Sequence, residues 1–282
     1  MADRRVTYAD SRLRRRRRRR QLAGLLAVVL VAALGIALAT RLIGRDPAPA
    51  AASPTAIVEA AAASMGVDGL TMRVTAKASF VARSSGGSSQ GAMAFSGEVV
   101  APSRMRVKGT LALPDLPKSP FEMVTVDNGA TVYMRLDTVA SGWQKLPADE
   151  NPADTDPRAD LLRSLAAATK ITLVRSERFN GHECDVIELQ LDVAALEKSD
   201  PGLGLATSLT DNLEMSADQI VAALDKATGK RMLWIGRNDR LVYKDQTAIK
   251  VDAGKAGTYE ENEAGTFTAF GKPLSSPIEA PL

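Results

Sequence analysis

Between Thr71 and Phe80 the sequence reads TMRVTAKASF, and apolar and polar residues alternate without exception. Met72, Val74, Ala76, Ala78 and Phe80 point one way, and Thr71, Arg73, Thr75, Lys77 and Ser79 the other. Successive side chains of a strand project to opposite faces, so a period of two defines a half-buried strand with one face against a core. A helix would spread the same residues around its circumference. The pattern returns in RMRVKGTLAL, where Met105, Val107, Leu111 and Leu113 oppose Arg104, Arg106, Lys108 and Thr110.

Neighbouring segments extend this into a meander. AMAFSGEVV precedes it; FEMVTVDNGATVYMRL and SGWQKL follow, with Asp127-Asn128-Gly129 as a hairpin turn. ITLVRSERF and CDVIELQLD flank a second turn at Asn180-Gly181, and Ile187, Leu189 and Leu191 share a face. KRMLWIG, a turn at Arg237 to Arg240, LVYKDQTAIKV and GTFTAFGKP complete the strands. Three helices are expected. Ser53-Pro54 is an N-cap and first-turn pair for a helix with Ile57, Val58, Ala61 and Met65 on one side, ending at Gly66. Asp156-Pro157 starts a second, over 157–169, with Leu161, Leu162 and Leu165 as its stripe. SADQIVAALDKATG is the third: Ser216 and Gln219 have capping-box spacing, Ile220, Val221 and Leu224 form the stripe, and Gly229 ends it. Ten or so strands with few helices and no βαβ alternation predict an α+β fold, a large antiparallel sheet with helices on one side.

Ahead of this domain, Leu22 to Ala39 is a run of 18 residues without a charge. As a helix it reaches ~27 Å, close to one bilayer core. Arg14, Arg15, Arg16, Arg17, Arg18, Arg19 and Arg20 abut one flank, while Arg41 and Arg45 stand on the other. The positive-inside bias then places the N-terminus in the cytoplasm and the rest outside the plasma membrane, with one crossing. Anionic headgroups of the inner leaflet lie closest to these arginines, which fit topology and anchoring better than nucleic-acid binding. Ala37-Leu38-Ala39 satisfies a small-x-small cleavage pattern, but the apolar run is longer than a signal h-region, which favours an uncleaved anchor. The expected organisation is a basic tail over 1–20, a membrane anchor over 21–43, a Pro/Ala linker over 44–54 and an extracytoplasmic domain over 55–282.

Net charge supports that division. The whole chain is +3, yet residues 1–45 carry 12 of the 36 basic side chains and 2 of the 33 acidic ones, so the remainder is −7. An acidic exported part is no nucleic-acid binder. Cys184 is the one cysteine, which excludes an intrachain disulfide and a lipobox cysteine behind the apolar run. His182 is the one histidine and sits in a turn; without a nucleophile elbow, P-loop or dinucleotide motif, no catalytic residues, metal site or cofactor are expected. The acidic stretch ADENPADTDPRAD lacks the ligand order of a calcium loop and is read as a solvated loop entering a helix.

Taken in order, SPTAIVEAAAASM, the alternating first strand, the DNGATVYMRL and GWQKL hairpin, NGHECDVIELQL, MLWIGRNDRLV and FGKPLSSPIEAP resemble the LolA-like superfamily, including actinobacterial LppX/LprG-type lipid-binding lipoproteins. The resemblance runs over about residues 55–281. It implies a curved, incomplete barrel closed by helices, whose concave face forms an apolar cavity for acyl chains. The hypothetical lining is Met72, Val74, Phe80, Met93, Phe95, Met105, Val107, Leu111, Met123, Val132, Met134, Ile187, Leu189, Met232 and Trp234. Few aromatics and many methionines suit a deformable wall, although the same residues would fill an ordinary core, and period-two patterning does not separate the two. An enclosed apolar cavity of several hundred Å3 would support binding, and a filled core a scaffold. The expected function is non-catalytic binding of a lipid, lipidated glycan or lipoprotein beside the membrane. The alternative is a sensor or scaffold ectodomain with a protein partner in the envelope.

Overall fold

The computed structural model describes residues 52–281 except 103, 115, 137, 139–140, 147–156 and 200–203. The arginine run, the apolar run and most of the linker lie outside the described residues, so the anchor and its orientation remain expectations.

Helix α1 (Pro54–Ser64) opens the domain as its cap predicts: Ser53 Oγ accepts from the Ala56 N–H at 3.2 Å, Pro54 stands in the first turn, and Ile57, Val58, Ala61 and Ala62 are buried. Six strands follow: β1 (Thr71–Ser84), β2 (Gly87–Val100), β3 (Arg104–Leu113), β4 (Leu116–Val126), β5 (Thr131–Arg135) and β6 (Trp143–Lys145). After α2 (Pro157–Ala166) come β7 (Ala168–Phe179), β8 (His182–Leu191), α3 (Val193–Ser199), α4 (Leu205–Leu213) and α5 (Ala217–Leu224). Strands β9 (Thr228–Gly236), β10 (Val242–Asp252) and β11 (Thr258–Thr268) end the fold.

All eleven strands form one sheet in the order β6-β5-β4-β3-β2-β1-β11-β10-β9-β8-β7, each neighbour antiparallel. The sheet does not close, and β6 and β7 are its edges. Register carries the β1 alternation across the whole sheet. One transverse row on the inner face runs Met134, Met123, Val107, Gly97, Val74 and Phe267. Glycines on this face give room to large partners: a Cβ at Gly91 would stand 2.3 Å from the Phe80 ring, and one at Gly109 would stand 2.1 Å from the Ala94 carbonyl. Such pairings of glycine with an aromatic neighbour let a sheet bend without leaving a hole. The helices cover the inner face, α1 against β7 and β9, α2 against β8, α4 against β1 and α5 against β10.

Local signals hold at the turns. Asn180 and Gly181 both adopt positive φ, 48° and 87°, the conformation of a tight two-residue hairpin. At α5 both halves of the capping box form: Ser216 Oγ accepts from the Gln219 N–H, and Gln219 Oε1 accepts from the Ser216 N–H at 2.8 Å. Other expectations shift. Helix α2 ends at Ala166 and α5 at Leu224, because the following residues are taken by β7 and β9. Val221 is 61% exposed, and Ala223 replaces it among the buried residues beside Ile220 and Leu224. Helices α3 and α4 are unforeseen, and the last strand begins at Thr258, several residues before the expected segment.

The C-terminal tail crosses the opposite, outer face. Glu98 accepts from the Ser275 N–H and Oγ, Arg106 donates to Ser275 and Ser276, and Ile278 packs with Val100, Val124 and Val126.

Candidate functional site: the inner face and its charged centre

Thirteen of the fifteen predicted lining residues share the inner face. Met72, Val74 and Phe80 on β1 stand beside Met93 and Phe95 on β2, Met105, Val107 and Leu111 on β3, Met123 on β4, and Val132 and Met134 on β5. Ile187 and Leu189 reach the same face on β8. All are buried except Met134, which is partly so.

Met232 and Trp234 are the corrections. The register Asp245 to Leu233 and Thr247 to Arg231 puts Leu233 and Arg231 on the inner face and turns Met232 and Trp234 outward. Trp234 is still buried, because its indole N–H donates to Glu177 and the Lys244 ammonium lies 4.0 Å from its ring centroid. An apolar residue on both sides of β9 left the period ambiguous, and ion pairing decided it.

Arg231 is 5% exposed. Its guanidinium donates to Asp245 on β10 at 3.0 Å, to Asp160 on α2 at 2.7 Å and to Ser164 on α2 at 2.6 Å. Burial opposes its charge, but the two carboxylates together hold it charged. This fork joins helix to sheet. Asp160 belongs to the acidic stretch expected to be solvated; it is 7% exposed and turned inward.

Beside it on β11, alternation directs Tyr259, Glu261 and Glu263 inward. Glu261 is 3% exposed and accepts from the Tyr259 hydroxyl at 3.0 Å. Burial lifts its carboxyl to about 7, helped by the nearby Glu197 charge on α3. Burial also raises Glu263 well above the carboxylate range, as do the charges of Glu261 and Asp245, and its Oε1 has no hydrogen-bond partner. Asp160, Ser164, Arg231, Asp245, Glu261 and Glu263 border a chamber of about 30 Å3. That is room for a single water molecule.

Cys184 is fully buried, and burial with the Asp239 charge pushes its thiol up to about 11. His182 is exposed and stacks on Tyr243 with ring centroids 4.0 Å apart. Among the described residues, no group of three His, Cys, Asp or Glu could hold a metal ion.

No family model matches the chain, and no curated protein matches it. Solved structures do. LprF from Mycobacterium bovis is 14% identical, with 83% of this chain and 98% of that one covered and a TM-score of 0.42. The Mycobacterium tuberculosis lipoprotein LppX is 13% identical, with 80% and 98% covered and a TM-score of 0.39. A putative outer membrane lipoprotein-sorting protein domain from Vibrio parahaemolyticus is 11% identical, with 73% and 87% covered and a TM-score of 0.22.

Proposed function

We propose that the chain is a membrane-anchored, extracytoplasmic binding protein that holds a lipid, a lipidated glycan or a lipoprotein acyl chain between its sheet and its helices, without catalysis. The observation that carries this reading is the inner face itself, a continuous apolar surface across β1 to β5 that includes Met72, Met93, Met105, Met123 and Met134. Thioether side chains bend to fit irregular chains. Each acyl methylene buried there would contribute ~0.8 kcal/mol.

The chamber beside Arg231 is too small for an acyl chain, so occupancy at that end requires the helix layer to separate from the sheet. The full chain, extracted gently in detergent and analysed by native mass spectrometry, should carry a co-purified amphiphile and take up a fluorescent fatty acid. A protein that emerges empty and ignores the probe sinks the reading.

The same small chamber favours a second reading, a scaffold or sensor ectodomain with a filled core and a protein partner. Crosslinking in cells that recovers one stoichiometric envelope protein, with no lipid, would select it.

A further inference from the structure

The charged centre is unbalanced. Arg231 already serves Asp160 and Asp245, and Glu261 and Glu263 stand beside that set with a tyrosine hydroxyl as the hydrogen bond to Glu261. Two more charges there would leave several anions around one guanidinium in a space that holds one water, a cost of several kcal/mol per uncompensated ion.

The helices facing these carboxyls are tied together. Glu197 on α3 accepts from the N–H groups of Leu205 at 3.3 Å and Ala206 at 3.0 Å, so α3 and the first turn of α4 are joined. Helix α4 meets the sheet at buried Ser208, which neighbours the Tyr259 hydroxyl, and at Asn212, whose Oδ1 accepts from Ser89 on β2 at 2.8 Å. The groups facing Glu261 and Glu263 are therefore Tyr259 on their own strand, Asp245 on β10, Arg231 on β9, Asp160 on α2, Glu197 on α3 and Ser208 on α4.

We propose that Glu261 and Glu263 form a proton-operated latch: protonated, they let α3 and α4 seat on the sheet, and on losing their protons they drive that helix pair off β11 and open the inner face. The raised affinity of both carboxyls for protons follows from this seating. Linkage fixes the direction. A carboxyl that binds its proton more tightly in the closed form favours that form at low pH, and opening grows as pH rises from the free-carboxyl value to the closed-form value. For Glu261 this window runs from 4.5 to about 7. The latch rests on the lipid reading only for what enters once it opens.

Hydrogen exchange of the full chain in detergent micelles, corrected for intrinsic pH dependence, tests it. Peptides within 193–199 and 205–213 should lose protection by up to about tenfold per pH unit for each carboxyl that is losing its proton between pH 5 and 7, while β8 and β9 keep theirs. The Glu261→Gln/Glu263→Gln double variant should hold α3 and α4 protected throughout, and Glu261→Gln alone should reduce the slope if the double variant does not fold. A flat profile in the parent chain, an unchanged slope in the variants, or equal loss across the whole domain each overturns the latch. Opening without uptake of a fluorescent fatty acid at any pH leaves the latch standing and removes the lipid reading.

Discussion

Replacing Arg231 by methionine removes one guanidinium and leaves two carboxylates behind. Asp160 and Asp245 are 7% and 8% exposed, so water does little to screen them once the cation is gone. Ser164 loses its donor too. Breaking a buried pair in this way costs about 3–5 kcal/mol, more than the pair itself contributes, because the remaining charges stay desolvated. Urea unfolding of the full chain in micelles, followed by the fluorescence of Trp143 and Trp234, should show that loss at pH 8 as a lower midpoint. In the variant Asp245, whose carboxyl burial already raises with the guanidinium present, binds its proton more tightly folded than unfolded, so the deficit should shrink as pH falls toward 5. Adding Asp160→Asn and Asp245→Asn should return most of the stability, since the amides carry no charge. A deficit below about 1 kcal/mol at pH 8, or one that is the same at pH 5, would refute the assignment of Arg231 as the counterion of a buried set.

Glu261→Gln should flatten the pH dependence of stability. Glu261 by itself is expected to contribute a loss on the order of 3 kcal/mol between pH 4.5 and about 7, the reverse of an ordinary salt-bridged acid, as the difference between parent and variant denaturation midpoints across that range will show. Gly109→Ala should destabilise by about 1–3 kcal/mol, because its Cβ would meet the Ala94 carbonyl at 2.1 Å; a melting temperature within a degree of the parent contradicts that contact. Arg106→Ala should free the C-terminal tail from the outer face and expose the bond after Leu274 to chymotrypsin, while the sheet resists. The tail should also loosen as pH falls below 4.5. Burial alone would raise the Glu98 carboxyl, but hydrogen bonds from Ser275 and Arg106 outweigh it and hold the group below its ordinary value of 4.5, so its contribution disappears as pH falls through that range.

The strands most legible in the sequence are those whose two faces differ. In β1, from Thr71 to Phe80, each inward residue is apolar and its neighbours are polar, so one reading of the period is possible, and register then extends it to β2, β3 and β4. Turns at Asn180-Gly181 and caps at Ser53 and Ser216 were equally plain, because each relies on a side chain or φ angle that few residues supply. Strand β9 is different. Arg231, Met232, Leu233 and Trp234 offer an apolar side chain to either face, and the deciding partners, Asp160 and Asp245, are 71 and 14 residues away. In β11 the sequence TYEENEA alternates Tyr259, Glu261 and Glu263 inward, but carboxylates are rarely buried, so the pattern passes for solvent-facing. Helices α3 and α4, at seven and nine residues, carry too little periodicity to stand out. What the sequence concealed was the charged centre, since nothing local distinguishes an acid that will be enclosed from one that will not.

The place of β1 in the strand order has a consequence for biosynthesis. Residues 71–126 can form a meander as soon as they emerge, and residues 168–268 a second one, but their strands pair with one another only where β1 meets β11. Arg73 lies opposite Thr268 and Arg83 opposite Thr258, so this seam joins positions 195 and 175 residues apart. Until the last strand has been made, β1 remains a fourteen-residue edge with unpaired amides and carbonyls, long enough to recruit a strand from another chain. A nascent chain would therefore spend most of its synthesis with its most adhesive strand uncovered, and the slowest step of folding should be the joining of the first strand to the last.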